Sequence, residues 1–352
     1  MLDTCGHKKY KCSYIILEGG IFLKKKIIIS IIGIIIIGII ITLLIVFNKK
    51  DDNGLTKVRL AEVTHSSFYT PLYVAIEKGY FEEVGLDVEL ILTPGADKVS
   101  AAVLSGDVEI GFAGAESAIY VYEQNETDYL QIFAGLTKRD GQFIVARNNY
   151  EDFSLEDLYD KEILVGRSTG MPALNFLNGL KNKGIDIDKI NINYSVEFAA
   201  LSGSFIGGTG DFVNLFEPNA TALEKEGYGK VVASVGKMSG EVPYTAFYAR
   251  KSYIEENSDV VDAFTKAIAK AITYTMNNDA GDVAKDIINQ FPDTSIDDLT
   301  LMINRYKEYD CWLESPFVSE EIFTNLEDFL IDFKLLNDYV PYSDLVNNFY
   351  NE

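Results

Sequence analysis

Thr64, His65, Ser66, Phe68 and Tyr69 bring hydroxyls, an imidazole and two flat rings into one short stretch, THSSFYT. That set offers hydrogen-bonding groups beside apolar faces, the combination that holds a small polar molecule in a pocket. The competing reading is structural, with Phe68 and Tyr69 stapling the start of the next helix. Two further strings have a similar character: Gly95-Ala96-Asp97 and Ala115-Glu116-Ser117. Their small residues let backbone approach a ligand, and the helices that follow point N–H donors at it. Reaction chemistry is harder to assemble. There are two histidines, His7 and His65, so no Ser/His/Asp constellation can be built. No Gly-Lys-Ser/Thr phosphate loop is present, and paired carboxylates say little in so acidic a chain. The cysteines Cys5, Cys12 and Cys311 give neither a disulfide framework nor a metal site.

The elements that must position these strings follow from periodicity. Val58–Val63 and Leu86–Leu92 predict strands, with a helix over Pro71–Tyr80 between them. A short helix over Lys98–Leu104, a strand over Val108–Phe112 and a helix over Ala118–Glu123 continue the pattern. Three successive βα units predict a parallel sheet with right-handed crossovers, and the three strings then share the ligand-holding edge. Leu130–Leu136 and Gln142–Arg147 read as the crossing into a second lobe. That lobe has strands over Glu162–Val165, Ile190–Val196, Asp211–Phe216 and Val231–Val235. Its helices cover Ala173–Lys183 and Ala220–Gly227, and Ser202–Gly210 reads as a Gly-rich connection. Pro243–Arg250 returns, and amphipathic helices follow from Glu255. The expected organisation is therefore lobe I over 57–141, lobe II over 142–241, and a return to lobe I over 242–352.

Residues 1–50 carry net +6, which leaves −28 on the remainder of a chain whose total is −22. So acidic a body argues against nucleic acid as a partner. Ile27–Phe47 is a run of 21 uncharged residues, about 32 Å as a helix and enough to span a bilayer core. Lys24, Lys25 and Lys26 precede it, placing the N-terminus in the cytoplasm and the body outside. Neither a small-x-small cleavage site nor a cysteine directly follows, so a retained membrane anchor is expected over 23–50. Glu18-Gly19-Gly20 is what a ribosome-binding site spells in frame, and Leu23 fits a TTG start codon. Translation is expected to begin at Leu23, which would make residues 1–22 a spurious leader.

The body resembles the extracytoplasmic substrate-binding proteins of ABC importers, in the nitrate/sulfonate/taurine and thiamine-pyrimidine group. The residues that carry the resemblance are Tyr73-Val-Ala-Ile-Glu-Lys-Gly-Tyr-Phe81, Gly85-Leu-Asp-Val-Glu89 and Leu104-Ser-Gly-Asp-Val-Glu-Ile-Gly111. It implies a two-lobe periplasmic-binding-protein-like α/β fold (type II), each lobe a mostly parallel sheet flanked by helices and joined by two hinge crossings. It also implies a monomer that closes on a small molecule and delivers it to a permease with its ATPase subunit, with no cofactor and no metal. Carried onto this sequence, lobe I contacts fall at Thr64, His65, Ser66, Phe68 and Tyr69, at Gly95, Ala96 and Asp97, and at Ala115, Glu116 and Ser117. Lobe II contacts fall at Ser168, Thr169, Gly170 and Met171 and at Phe216, Glu217 and Asn219. Arg139 and Tyr244 complete the set. Ser168 and Thr169 read equally as helix N-caps, and Glu217 equally as a hinge-side salt bridge.

The same group includes a thiamine-pyrimidine synthase that consumes its own histidine. The resemblance implies that such an enzyme needs a lysine and a donor histidine in the first strand-end loop, plus a Cys-rich iron motif. Here Thr64 and Tyr69 stand at those places and no Cys cluster exists, so no enzyme is expected. A surface sensor or adhesive module is the remaining alternative. An anionic ligand would want Lys138, Arg139 or Arg167 as a clamp. Phe68, Tyr69, Tyr73, Tyr120, Phe216 and Tyr244, with Glu116 and Glu217, better suit a neutral or amine-bearing heterocycle such as a thiamine-pyrimidine precursor.

Overall fold

A computed structural model describes residues 54–351, so the expected leader and the Ile27–Phe47 anchor lie outside the described residues. In β1 (Thr56–Glu62), Val58, Leu60 and Ala61 are buried, and β2 (Leu86–Leu92) runs parallel to it from Thr56↔Leu86 to Glu62↔Leu92. The helix between them is Thr70–Glu77, shorter than the spacing predicts. Gly79 takes a left-handed φ of 69°, which ends that helix, and Tyr80–Glu83 forms a separate turn.

β3 (Ile110–Gly114), β4 (Leu130–Thr137) and β10 (Thr245–Arg250) complete one sheet in the order β2-β1-β3-β10-β4. The second sheet joins β5 (Phe143–Ala146), β6 (Glu162–Leu164), β7 (Asn191–Asn193), β8 (Phe212–Leu215) and β9 (Lys230–Ser234) in the order β7-β6-β8-β5-β9. β10 runs antiparallel to β3 and β4, and β5 antiparallel to β8 and β9. Each lobe is thus a mostly parallel α/β sheet with one reversed strand, in keeping with the two-lobe expectation. All residues of β4 are buried, because the helices Glu116–Tyr122 and Ser258–Asn277 cover it, and an unbroken apolar run results.

The two crossings run side by side. Val242 and Tyr244 donate their N–H groups to the carbonyls of Lys138 (3.0 Å) and Thr137 (3.0 Å). Nearer lobe II, the Val235 N–H bonds the Gln142 carbonyl at 3.0 Å. The C-terminal helices return to lobe I. Ser258–Asn277 packs on Thr70–Glu77, and Ile296–Glu308 packs against the turn Ser67–Tyr69. Ser295 caps the latter helix, accepting from the Asp298 N–H at 3.1 Å.

Three local expectations are corrected. The connection read over Ser202–Gly210 contains a helix, Leu201–Ile206. Leu201 and Phe205 sit one turn apart and are both buried, and Arg147 stacks 4.1 Å above the Phe205 ring. Their burial outweighs the low helix propensity of Gly203. β7 spans Asn191–Asn193 rather than Ile190–Val196, because the Asn193 side chain captures the Ser195 N–H (2.9 Å) and hydroxyl (2.7 Å). Val235 leaves the expected strand and opens a short helix, Val235–Ser239, capped by Ser234.

Candidate functional site: the cleft between the lobes

The loop after β1 is riveted from below. Glu62, at the end of β1, is buried and accepts from the Tyr73 hydroxyl at 2.9 Å, with His65 Nδ1 at 2.8 Å from its other oxygen. His65 Nε2 lies 2.8 Å from the Gln290 carbonyl, which can only accept, so that nitrogen carries a proton. Burial alone would lower the His65 pKa, but the bonds to Glu62 and Gln290 outweigh it and raise the value above the usual range. The Ser66 hydroxyl donates to the Glu217 carbonyl of lobe II at 2.6 Å and accepts from the Phe68 N–H at 3.2 Å. Trp312 Nε1 donates to the Phe68 carbonyl at 2.7 Å. His65 and Ser66, expected as ligand contacts, therefore spend their polar groups on the loop itself. Thr64 is half-buried beside them.

Anchored in this way, the loop places Phe68 at the centre of an aromatic wall. Its ring centroid lies 5.3 Å from Phe216 of lobe II, 5.2 Å from Tyr306 and 5.7 Å from Tyr244. Tyr69 meets Phe112 edge-on at 4.5 Å. All of these rings are buried, so the lobes are in contact across the wall.

Beside the wall lie carboxyl groups without cations. Glu116, in the first turn of its helix, is fully buried and its Oε2 has no partner. Burial pushes its pKa up to about 8, against the opposing pull of its own N–H and that of Met171 from lobe II. Gly114 makes room for this carboxyl: a Cβ there would stand 2.0 Å from Glu116 Oε2. Asp140, on the first crossing, is equally buried and burial raises its pKa well above the carboxylate range. Its Oδ1 accepts from the Gln142 N–H at 2.6 Å, while Oδ2 has no partner. The Tyr244 hydroxyl lies near Asp140 without a well-formed hydrogen bond, and burial and that carboxyl raise its pKa. In lobe II, Gln142 Oε1, Asn175 Oδ1 and both side-chain polar atoms of Asn214 are likewise buried and unpartnered. Buried polar groups are nearly always paired, so these unpaired atoms stand out among the described residues.

The cations near the cleft are held by carboxylates, but Arg139 Nε is buried without a partner. Arg139 pairs with Glu241 and with Asp310 at 3.6 Å, and Lys138 with Asp310 at 3.0 Å. Arg167 is exposed and bonds Glu197 at 3.2 Å, with Asp97 at 3.9 Å across the lobes.

Several expected contacts stand outside this cluster. The Glu217 carboxyl accepts from the Thr221 N–H (2.8 Å) and hydroxyl (2.9 Å) and from Arg305 Nη1 (2.7 Å). These partners make it a salt bridge of the hinge side. Asp97, Ser168, Thr169 and Asn219 are exposed, and Gly95 and Ala96 half-buried. Gly170 is the N-cap residue of the helix Met171–Asn182, so Ser168 and Thr169 do not cap it. Phe68, Tyr69, Ala115, Glu116, Ser117, Met171, Phe216 and Tyr244 are buried where the lobes meet or directly beside it. Sequence reasoning passed over Asp140, Gln142, Asn175 and Asn214. Asn214 carried a signal, a lone amide inside the apolar run Phe212–Phe216.

Comparison with known proteins agrees with this architecture. The alkanesulfonate-binding protein SsuA from Xanthomonas axonopodis pv. citri, solved with MOPS, shares the fold at a TM-score of 0.66 and 16% identity, covering 83% of this chain and 98% of that one. The fold is the two-lobe periplasmic-binding-protein fold. Residues 67–281 match the family model described as NMT1/THI5 like. A Bacillus subtilis (strain 168) protein named as a binding protein, YtlA, is 42% identical over 299 residues, 85% of this chain and 90% of that one. The formylaminopyrimidine-binding protein of Halalkalibacterium halodurans is 21% identical over 321 residues, 79% of this chain and 92% of that one. The chain belongs to the NMT1/THI5-like family.

Proposed function

We propose that this protein captures a small amine-bearing heterocycle, of the thiamine-pyrimidine kind, between its lobes and delivers it to an ABC permease. The observation that carries the reading is the pair of buried carboxyls, Glu116 and Asp140, beside an aromatic wall with no cation paired to either among the described residues. A ring with amino groups finds flat apolar faces and carboxyl oxygens that accept hydrogen bonds there. The ligand named for the Halalkalibacterium halodurans relative has the chemistry this reading requires.

Capture without chemical change fits the available side chains. His65 has both nitrogens engaged in anchoring the loop. Cys311 is buried, and burial drives its thiol pKa upward, away from the reactive thiolate. Among the described residues no helix is long and apolar enough to cross a membrane. In this reading Ile27–Phe47 tethers a monomeric binding body to the outer face of the cell membrane.

A thermal-shift screen of pyrimidines, flavins, sulfonates, nitrate and polyamines tests the ligand class, since only a molecule that binds the folded state raises the melting temperature. Aminopyrimidines are expected to give the largest shift and to reduce the radius of gyration in small-angle scattering as the lobes close. A larger shift with sulfonate or nitrate would replace this reading with the anionic one, and no shift with any probe would favour a surface module.

A further inference from the structure

We propose that capture of a cationic nitrogen in this cleft releases a proton from Glu116, which enters the complex as the carboxylate partner of that nitrogen. The inference rests on the heterocycle reading above and adds the form in which the ligand is held. Glu116 Oε2 is buried and unpartnered, and Gly114 leaves the space into which the carboxyl folds. The Met171 N–H reaches the same group from lobe II, so its surroundings are complete only when the lobes meet.

Among the described residues, no positive charge offsets it. The groups facing Glu116 are Tyr120 on its own helix, Tyr69 from the loop after β1, Tyr244 from the second crossing and Tyr248 from β10. Burial raises the pKa of all four phenols, so they stay neutral at pH 7, and burial likewise pushes the pKa of Asp140, near Tyr244, well above the carboxylate range. With its pKa pushed up to about 8, Glu116 also carries its proton in the empty cleft at neutral pH. A cation beside it favours the ionised form. The balance is then Glu116 carboxyl plus cation giving carboxylate–cation pair plus one proton, and that proton leaves to the buffer. A neutral aminopyrimidine, whose ring nitrogen is less basic than this carboxylate, instead accepts a hydrogen bond from the protonated Glu116, and no proton reaches the solvent.

The test is calorimetric titration of the full-length chain in detergent at pH 7, in phosphate and in Tris, whose ionisation enthalpies differ. The probes are 1-methyl-4-aminopyrimidinium, which is permanently charged, and 4-aminopyrimidine. The wild type is expected to release about one proton per pyrimidinium bound and close to none with 4-aminopyrimidine. Glu116→Gln should abolish the release and weaken pyrimidinium binding roughly 10- to 100-fold, as expected for loss of a charged hydrogen bond. Pyrimidinium binding without release in the wild type would overturn the proposal while leaving the heterocycle reading standing, as would binding of 4-aminopyrimidine alone. Failure of both probes to bind would overturn the heterocycle reading and this proposal with it.

Discussion

Removing Arg305 should unfold this protein more readily without touching the ligand. Arg305 Nη1 lies 2.7 Å from Glu217 Oε1 and 3.1 Å from Thr221 Oγ1, and its Nη2 pairs with Glu224. It thereby ties the lobe II helix Asn219–Lys225 to the C-terminal helix Ile296–Glu308. Glu217 is 1% exposed, so Arg305→Ala leaves a buried carboxylate held by Thr221 alone. The gross attraction at that distance is about 6 kcal/mol at an effective dielectric constant near 20. Stranding one member of such a pair typically costs about 3–5 kcal/mol. The guanidinium side chain is 19% exposed, so water enters where it stood and the lower end applies, about 3 kcal/mol. At roughly 2–3 °C per kcal/mol for a chain of this size, the ligand-free melting temperature should fall by about 6–9 °C. Differential scanning calorimetry reads this directly. An unchanged melting temperature combined with a large loss of aminopyrimidine affinity would refute the reasoning and return Glu217 to the ligand.

Other perturbations separate anchor from site. The raised His65 pKa contributes stability that is fully present below its unfolded value, about pH 6.5, and is lost as pH rises through the folded value. The melting-temperature gap between wild type and His65→Gln should therefore be wider at about pH 6 than at about pH 9. A gap of constant size would mean that no imidazolium forms. Gly114→Ala should displace the Glu116 carboxyl and weaken 4-aminopyrimidine binding about tenfold or more in calorimetry, equivalent to one charged hydrogen bond; unchanged affinity would remove Glu116 from the site. Tyr69→Ala should lower stability by about 3 kcal/mol or more in denaturant titration, because the ring is 3% exposed and packs on Phe112. Gly203→Ala, with nothing within 4 Å of the added methyl, should instead raise the melting temperature slightly, by about 0.5–1 kcal/mol of stability.

The fold was legible wherever local pattern and burial coincide. β2 spans Leu86–Leu92 as its sequence predicts, and the βα order fits the parallel pairing of β1, β2 and β3. Boundaries failed where a side chain overrode the backbone's preference. Asn193 cut β7 short, and Leu201 with Phe205 built a helix across Gly203. The site was legible as a set of strand ends but not as a set of roles. Glu217 is decided by Arg305, 88 residues away, and His65 by the Gln290 carbonyl, 225 residues away. No local spacing encodes such partners. Glu116 could be placed at the sheet edge, but its sequence neighbours do not tell that, among the described residues, Arg139 pairs with Glu241 and Arg167 with Glu197 rather than with it.

The most direct measurement of the central claim is a calorimetric comparison of 4-aminopyrimidine, taurine and nitrate on the same full-length preparation, wild type and Glu116→Gln. Binding of 4-aminopyrimidine alone, weakened in the variant, is the predicted result. Binding of taurine or nitrate in preference to the pyrimidine, with Glu116→Gln leaving affinity unchanged or improving it, would contradict the account.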